Sequence, residues 1–171
     1  TERGTILSTT IDNYNKNFNI NTRAPFLLMQ ESIKIMIREK IQGTILNVLS
    51  MAMYSGMPFL TAYSGSKAAL AIITKNVANG VSGHKIRVNA LNIGWTDTPG
   101  EDTIQKKFHD GGEDWLKKAE AKVTFKRLTK PIDVARAAAY FCSEESGLVT
   151  GSVIDYDQTV NVWHSYSAYD T

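Results

Sequence analysis

The sequence predicts an α/β protein built on a parallel sheet. Two observations carry that prediction. Short strand-like runs at about residues 44–49, 86–91 and 151–156 alternate with long helical patterns. The stretches between the runs have the length of crossovers, which place parallel strands side by side with a right-handed connection.

The first helical pattern covers about residues 10–40. Thr9 or Thr10 can cap it, and Tyr14, Phe18, Met29, Ile33, Met36, Ile37 and Ile41 recur at helical spacing. Pro25 lacks an amide donor and is expected to kink or divide this helix near residues 22–24. Gly43 is expected to end it. The run Thr44-Ile45-Leu46-Asn47-Val48-Leu49 is apolar almost throughout, as in a strand covered on both faces. A loop with Gly56 and Pro58 leads to a second helix over about residues 61–81, where Gly65, Ala68, Ala69 and Ala71 allow close approach of a neighbour. After the strand at 86–91 comes a polar segment, 92–127, in which 114–123 is helical in pattern. Pro131 opens the last helix, to about Cys142, with Val134, Ala138 and Phe141 on its apolar side. No internal repeat is visible, and the tail from Gln158 carries no pattern. Three strands make a small sheet with two bare edges. The sheet is expected to pair with something else, or the chain to begin partway through a domain.

Composition narrows the function. The 171 residues suit one domain, and 43% are apolar and 21% charged, which is globular composition. A net charge of +2, from 19 basic and 17 acidic residues, gives no warrant for nucleic-acid or membrane binding. No apolar run approaches the roughly 20 residues of a membrane span. A single cysteine, Cys142, excludes an internal disulfide and a cysteine-cluster metal site, and it reads as a buried small hydrophobe. A cytoplasmic compartment follows as the expectation. His84, His109 and His164 show no metal-ligand spacing.

The chemistry concentrates between Ser50 and Lys67. Tyr63 and Lys67 are four residues apart on a helix and face the same way. Ser50 ends the preceding strand, and sites in parallel α/β sheets lie outside the carboxyl ends of the strands. A phenol, an ammonium and a hydroxyl then meet at one mouth. Such a set moves a proton to or from a carbonyl or alcohol oxygen. A free phenol titrates near 10, and lowering it by about three units takes about 4 kcal/mol. One cation about 5 Å away supplies roughly 3 kcal/mol at an effective dielectric of 20. Lys67 with a second cation is therefore expected to activate Tyr63, while Ser50 holds the substrate oxygen. Tyr-x-x-x-Lys alone is a weak signal; Ser50 and the flanking residues strengthen it.

These stretches resemble the classical short-chain dehydrogenase/reductase family: GTILNVLS, AYSGSKAAL, KIRVNALNIGW and TGSVIDYD, over most of the chain from about Gly4 to Tyr156. Ser50, Tyr63 and Lys67 match the family serine, tyrosine and lysine, and Asn21 in FNINTRAPF matches the asparagine of the family tetrad. The resemblance implies Tyr63 as acid/base, Lys67 for phenol activation and cofactor ribose contact, Ser50 on the substrate oxygen and Asn21 holding a relay water. It also implies a Rossmann-type doubly wound parallel sheet and an NAD or NADP cofactor. The segment from Asn92 to Thr98 matches the family's Pro-Gly-x-x-x-Thr stretch, with Ile93 in place of the proline. Ile93, Gly94, Thr96 and Thr98 are thereby implied in cofactor binding beside Tyr63 and Lys67. The family's glycine-rich phosphate loop and its Asn-Asn-Ala-Gly stretch are absent from this sequence, so the resemblance covers the C-terminal two-thirds of the family pattern, without its N-terminal strands.

The implied activity is hydride transfer between nicotinamide and a small carbonyl/secondary alcohol substrate. The alternatives are a non-catalytic binding or regulatory protein of this type, or a shortened chain that cannot hold the cofactor. Residues 98–127 are expected to cover the substrate, hinged at Gly111-Gly112, with Trp115, Leu116 and Phe125 on the inner side. A polar substrate is favoured over a long acyl chain. The first two helices, through Ala68, Ala69 and Ala71 with Met29, Ile33 and Ile37, are expected to form a two-fold interface in a homodimer or homotetramer.

Overall fold

Thr10 opens the first helix by accepting a hydrogen bond from the Asn13 amide at 3.1 Å. In the computed structural model, which describes residues 2–109 and 111–159, that helix is α1, Ile11–Phe18. His164 and the rest of the tail lie outside the described residues. After α1 the chain takes one wide π-turn, Asn19–Arg23, before α2, Ala24–Arg38. Pro25 accounts for the break. It has no N–H to give to the Asn21 carbonyl four residues back, and the Ala24 amide reaches five residues back to Asn19 instead. The helix stops at Arg38, five residues before Gly43. Lys40 reverses the chain there with φ of 54°, and Gly43 instead leaves room for the Met36 thioether.

β1 is Thr44–Ser50, β2 is Arg87–Ile93 and β3 is Val153–Tyr156; the order is β1-β2-β3 and all pairs are parallel. α3, Thr61–Val81, connects the first two strands. Leu49, Val88 and Ala90 of the sheet pack with Leu70, Ala71 and Ala78 of α3 and Met29 of α2 in the main core. Asn47 is buried in this layer and donates to Thr74 Oγ1 at 2.9 Å, so its amide is not stranded. On the other side α6, Pro131–Cys142, leans on β1 and β2. Arg87 anchors its far end, donating to Ser146 Oγ at 2.6 Å and to the Ser143 carbonyl at 2.9 Å. Cys142 is exposed rather than buried, because only one side of α6 meets the sheet and Cys142 faces away from it.

The polar segment after β2 holds two helices, α4, Pro99–Phe108, and α5, Trp115–Lys122. Trp115 and Ala119 of α5 make a second, smaller core with Leu128 from the segment that follows. Trp115 Nε1 donates to Asp102 at 2.7 Å and ties α5 to α4. Lys130 closes the base, bonded to Asp97 at 3.0 Å and to Glu120 at 2.8 Å. At the other end of the sequence, Gly4 forms a parallel bridge with Leu60, its amide 2.9 Å from the Phe59 carbonyl. Among the described residues no helix is long and apolar enough to cross a membrane.

Candidate active site

Ser50 is the last residue of β1, and its hydroxyl caps the short 3-10 turn after it by accepting from the Ala52 amide. Tyr63 stands in the first turn of α3, half-buried, with its hydroxyl close to that of Ser50. Lys67, one turn on, puts its Nζ 5.9 Å from the centre of the Tyr63 ring. Three of the four residues singled out by sequence thus share one mouth at the carboxyl end of β1.

Asn21 reaches the same place from the π-turn. Its Nδ2 donates to Ser66 Oγ at 3.0 Å, and Ser66 Oγ donates to the Tyr63 carbonyl at 2.7 Å. Thr22 adds a bond to the Ser66 carbonyl at 2.8 Å. Asn21 is therefore linked to Tyr63 through a fully buried serine that sequence reasoning passed over. Its signal was present: a small polar residue three positions after Tyr63, on the face that a helix must bury. Tyr63 and Asn21 also line a cavity of about 220 Å³ with Glu2, Asn13, Lys16, Asn17 and Ile20.

Burial pushes the Tyr63 phenol up, and the Ser50 hydroxyl pulls it back; the Glu101 carboxylate raises it further and the Arg3 guanidinium lowers it. The Lys67 ammonium is pushed down by burial, and it donates to the Val48 carbonyl of β1 at 2.9 Å. A phenol raised above its ordinary value is protonated at neutral pH. Arg3 and Glu101 were both missed from sequence, since only packing over long separations brings them to Tyr63.

The loop after β2 is narrow. Ile93 pairs with Ser50 in the sheet register, and the Gly94 amide donates to the Tyr156 carbonyl at 3.1 Å. A Cβ on Gly94 would overlap the Asp157 carboxylate, so glycine is required by the approach of β3. Thr96 Oγ1 donates to the Gly94 carbonyl at 2.9 Å. Thr98 caps α4, its hydroxyl accepting from the Glu101 amide at 3.1 Å. These four residues are neighbours of the mouth, on the adjacent strand end. Among the described residues no group of histidine, cysteine and carboxylate side chains has the arrangement of a metal site.

A family model described as enoyl-(acyl carrier protein) reductase matches residues 1–161. An uncharacterised oxidoreductase of Thermotoga maritima is 34% identical over 154 residues, covering 90% of this chain and 61% of the relative. The 3-oxoacyl-[acyl-carrier-protein] reductase FabG of the same organism is 33% identical over 139 residues, 81% of this chain and 53% of the relative. Among solved structures, one described as 4-hydroxyisoleucine dehydrogenase complexed with NADH superimposes with a TM-score of 0.80 at 26% identity, covering 92% of this chain and 63% of that one. The chain spans between half and two-thirds of the length of these relatives.

Proposed function

The chain belongs to the short-chain dehydrogenase/reductase family, and on that premise we propose that the protein transfers a hydride between a nicotinamide cofactor and a small carbonyl or secondary alcohol. The observation that carries the reading is the convergence of Ser50 and Tyr63 at the end of β1, with Lys67 one helical turn away. The donor set fits the nicotinamide half of NAD or NADP. Lys67 is an ammonium beside the mouth, and Ile93, Gly94 and Thr96 offer backbone groups at the neighbouring strand end. Thr98 stands at the N-terminus of α4, where partial positive charge favours phosphate. When bound, the cofactor supplies or accepts the hydride.

The protein's part is proton handling. In reduction, Tyr63 gives its proton to the carbonyl oxygen while Ser50 holds that oxygen by a hydrogen bond. In alcohol oxidation the same phenol, once ionised, accepts the proton. Asn21 fixes the first turn of α3 through Ser66 and, with Tyr63, borders the cavity through which a water can reach the phenol. The polar lining of the mouth, with Arg3 and Glu101 beside Tyr63, supports a polar substrate rather than a long acyl chain.

Residues 98–127 cover the substrate in this reading. Trp115 faces inward, packed with Ala119 and Leu128 and stacked on Trp95 at 6.4 Å. Phe125 is 76% exposed and takes no part in that inner side, and Leu116 is half-buried. Gly111 is held against Trp115 and Gln105, which leaves Gly112, with φ of 64°, as the joint between α4 and α5. The protein acts in the cytoplasm as a homodimer or homotetramer joined through α2 and α3. Nicotinamide absorbance with a panel of small ketones, aldehydes and alcohols tests the activity: turnover by wild-type protein and its loss in Tyr63→Phe is the expected result. Absence of turnover across the panel, or unimpaired turnover by Tyr63→Phe, overturns it.

A further inference from the structure

We propose that Arg3 is the anion-binding residue of this site and that the substrate carries a carboxylate, which Arg3 clamps while the reacting carbon lies at Tyr63 and Ser50. The inference rests on the oxidoreductase reading above and names the substrate class within it.

Position comes first. The bridge between Gly4 and Leu60 lays residues 2–4 beside the entry to α3, so Arg3 stands next to the turn that carries Tyr63. Glu2 and Tyr63 line the same cavity. The Arg3 guanidinium rests over the Phe59 ring, 4.9 Å from its centre, and its Nη2 lies 2.9 Å from His109 Nε2 at the end of α4. The fork is thereby held between the loop before α3 and the end of α4.

Its partners are the second point. Among the described residues no carboxylate lies within 4 Å of this half-buried cation, and its Nε is buried without a hydrogen-bond partner. The nearby acids are engaged elsewhere. Glu2 pairs with Lys16 at 3.1 Å. Glu101 accepts from Trp95 at 2.8 Å and from Gln105 at 2.6 Å. Asp102 accepts from Trp115 and pairs with Lys106 at 3.2 Å. A half-buried guanidinium is costly to leave unpaired, and burial is the largest influence working against its charge. Ring stacking and a histidine nitrogen offset only part of that cost. A planar fork with unused donors matches a carboxylate better than any neutral group. The titratable groups that also face it are the Glu101 carboxylate on α4 and the neutral Tyr63 phenol on α3.

Acetoacetate and its methyl ester carry the same reacting ketone and differ in the charge, and longer 3-oxo acids paired with their methyl esters extend the comparison. With the naturally expressed protein, the acids are expected to exceed the esters in kcat/KM by about 10- to 100-fold, the scale on which a site built to bind a polar group rejects an analogue lacking it. Arg3→Gln is expected to bring that ratio close to one, mainly through KM, and Arg3→Lys to restore part of it. A strap that only fastens residues 2–4 to α4 would slow acids and esters alike and leave the ratio standing. Equal wild-type use of acids and esters, or an unchanged ratio in Arg3→Gln, overturns the proposal. Titration calorimetry of acetoacetate into wild-type and Arg3→Gln protein separates the two readings. If no carbonyl is turned over, the oxidoreductase reading fails, and binding that is lost in Arg3→Gln still upholds the anion site; equal binding to both proteins removes it.

Discussion

In the proposed reaction the chemistry turns on Tyr63, and its burial and its nearness to Ser50 both bear on its proton. Tyr63→Phe keeps the ring and removes the transferable proton. Its turnover is expected to fall by about 10² to 10⁴, with the circular dichroism spectrum unchanged. The upward shift of the phenol sets the pH dependence. Reduction needs the neutral phenol and holds through neutral pH; oxidation needs the phenolate and rises as pH climbs toward the phenol's raised value. Glu101 holds the proton on, so Glu101→Gln is expected to move the oxidation limb to lower pH. A pH–rate profile with an unmoved limb would remove Glu101 from the phenol's surroundings. Tyr63, Lys67 and Ser50 were legible in the sequence because helical spacing and a strand end are local features. Arg3, Ser66 and Glu101 were not. Arg3 is sixty residues from Tyr63 in sequence, and only the Gly4–Leu60 bridge makes them neighbours. Burial, which pushes both the Tyr63 phenol and the Lys67 ammonium toward their neutral forms, is likewise a product of packing and leaves no mark in the sequence.

The elements divide in the same way. α3 and α6 were readable to the residue, because Gly, Pro and apolar spacing mark their ends, and the break at Pro25 followed from the missing amide. The form of that break, a single π-turn, was not readable, since an extra residue in a helical turn leaves no mark in the pattern. Pro25→Ala restores the amide that Asn21 lacks. It is expected to let the regular helix run through, turn Asn21 away from Ser66 and lower turnover; a crystal structure of the variant checks the geometry. Gly94→Ala forces a methyl onto Asp157 at the end of β3. Overpacking of this kind costs about 1–3 kcal/mol, to be read from urea unfolding, and an unchanged midpoint would mean that β3 is free to withdraw. For α4 and α5, hydrogen exchange should show slower exchange of residues 101–115 when cofactor and substrate are bound. Equal protection in both states would mean that Trp115 and Asp102 already fix the segment.

At the scale of the whole molecule, the question is what covers the outer face of the helical layer. Beneath α2 and α3 the core is closed: Met29 and Ala71, which the sequence suggested for a contact between subunits, are buried inside it. Ile37, also expected there, is exposed, and further apolar side chains face outward with it. Leu28 is 69% exposed, Ile35 47% and Ile72 59%. Leu28 and Ile35 lie two turns apart on one side of α2, and Ile72 stands on the neighbouring helix α3. Large apolar side chains left facing water mark association surfaces where they join into one patch. Two such helices, repeated by a two-fold axis, would give a four-helix contact in which the same surface is used on both subunits. Light scattering of wild-type protein at micromolar concentration is expected to give twice the subunit mass or a higher even multiple. Leu28→Lys combined with Ile72→Lys places four ammonium groups in each such contact, and the desolvation of unpaired charge outweighs what the remaining apolar area contributes. The double variant is expected to run as a monomer with an unchanged helical spectrum, because both side chains are already exposed within one subunit. A wild-type monomer, or a double variant that still associates, would place the interface on another face of the molecule.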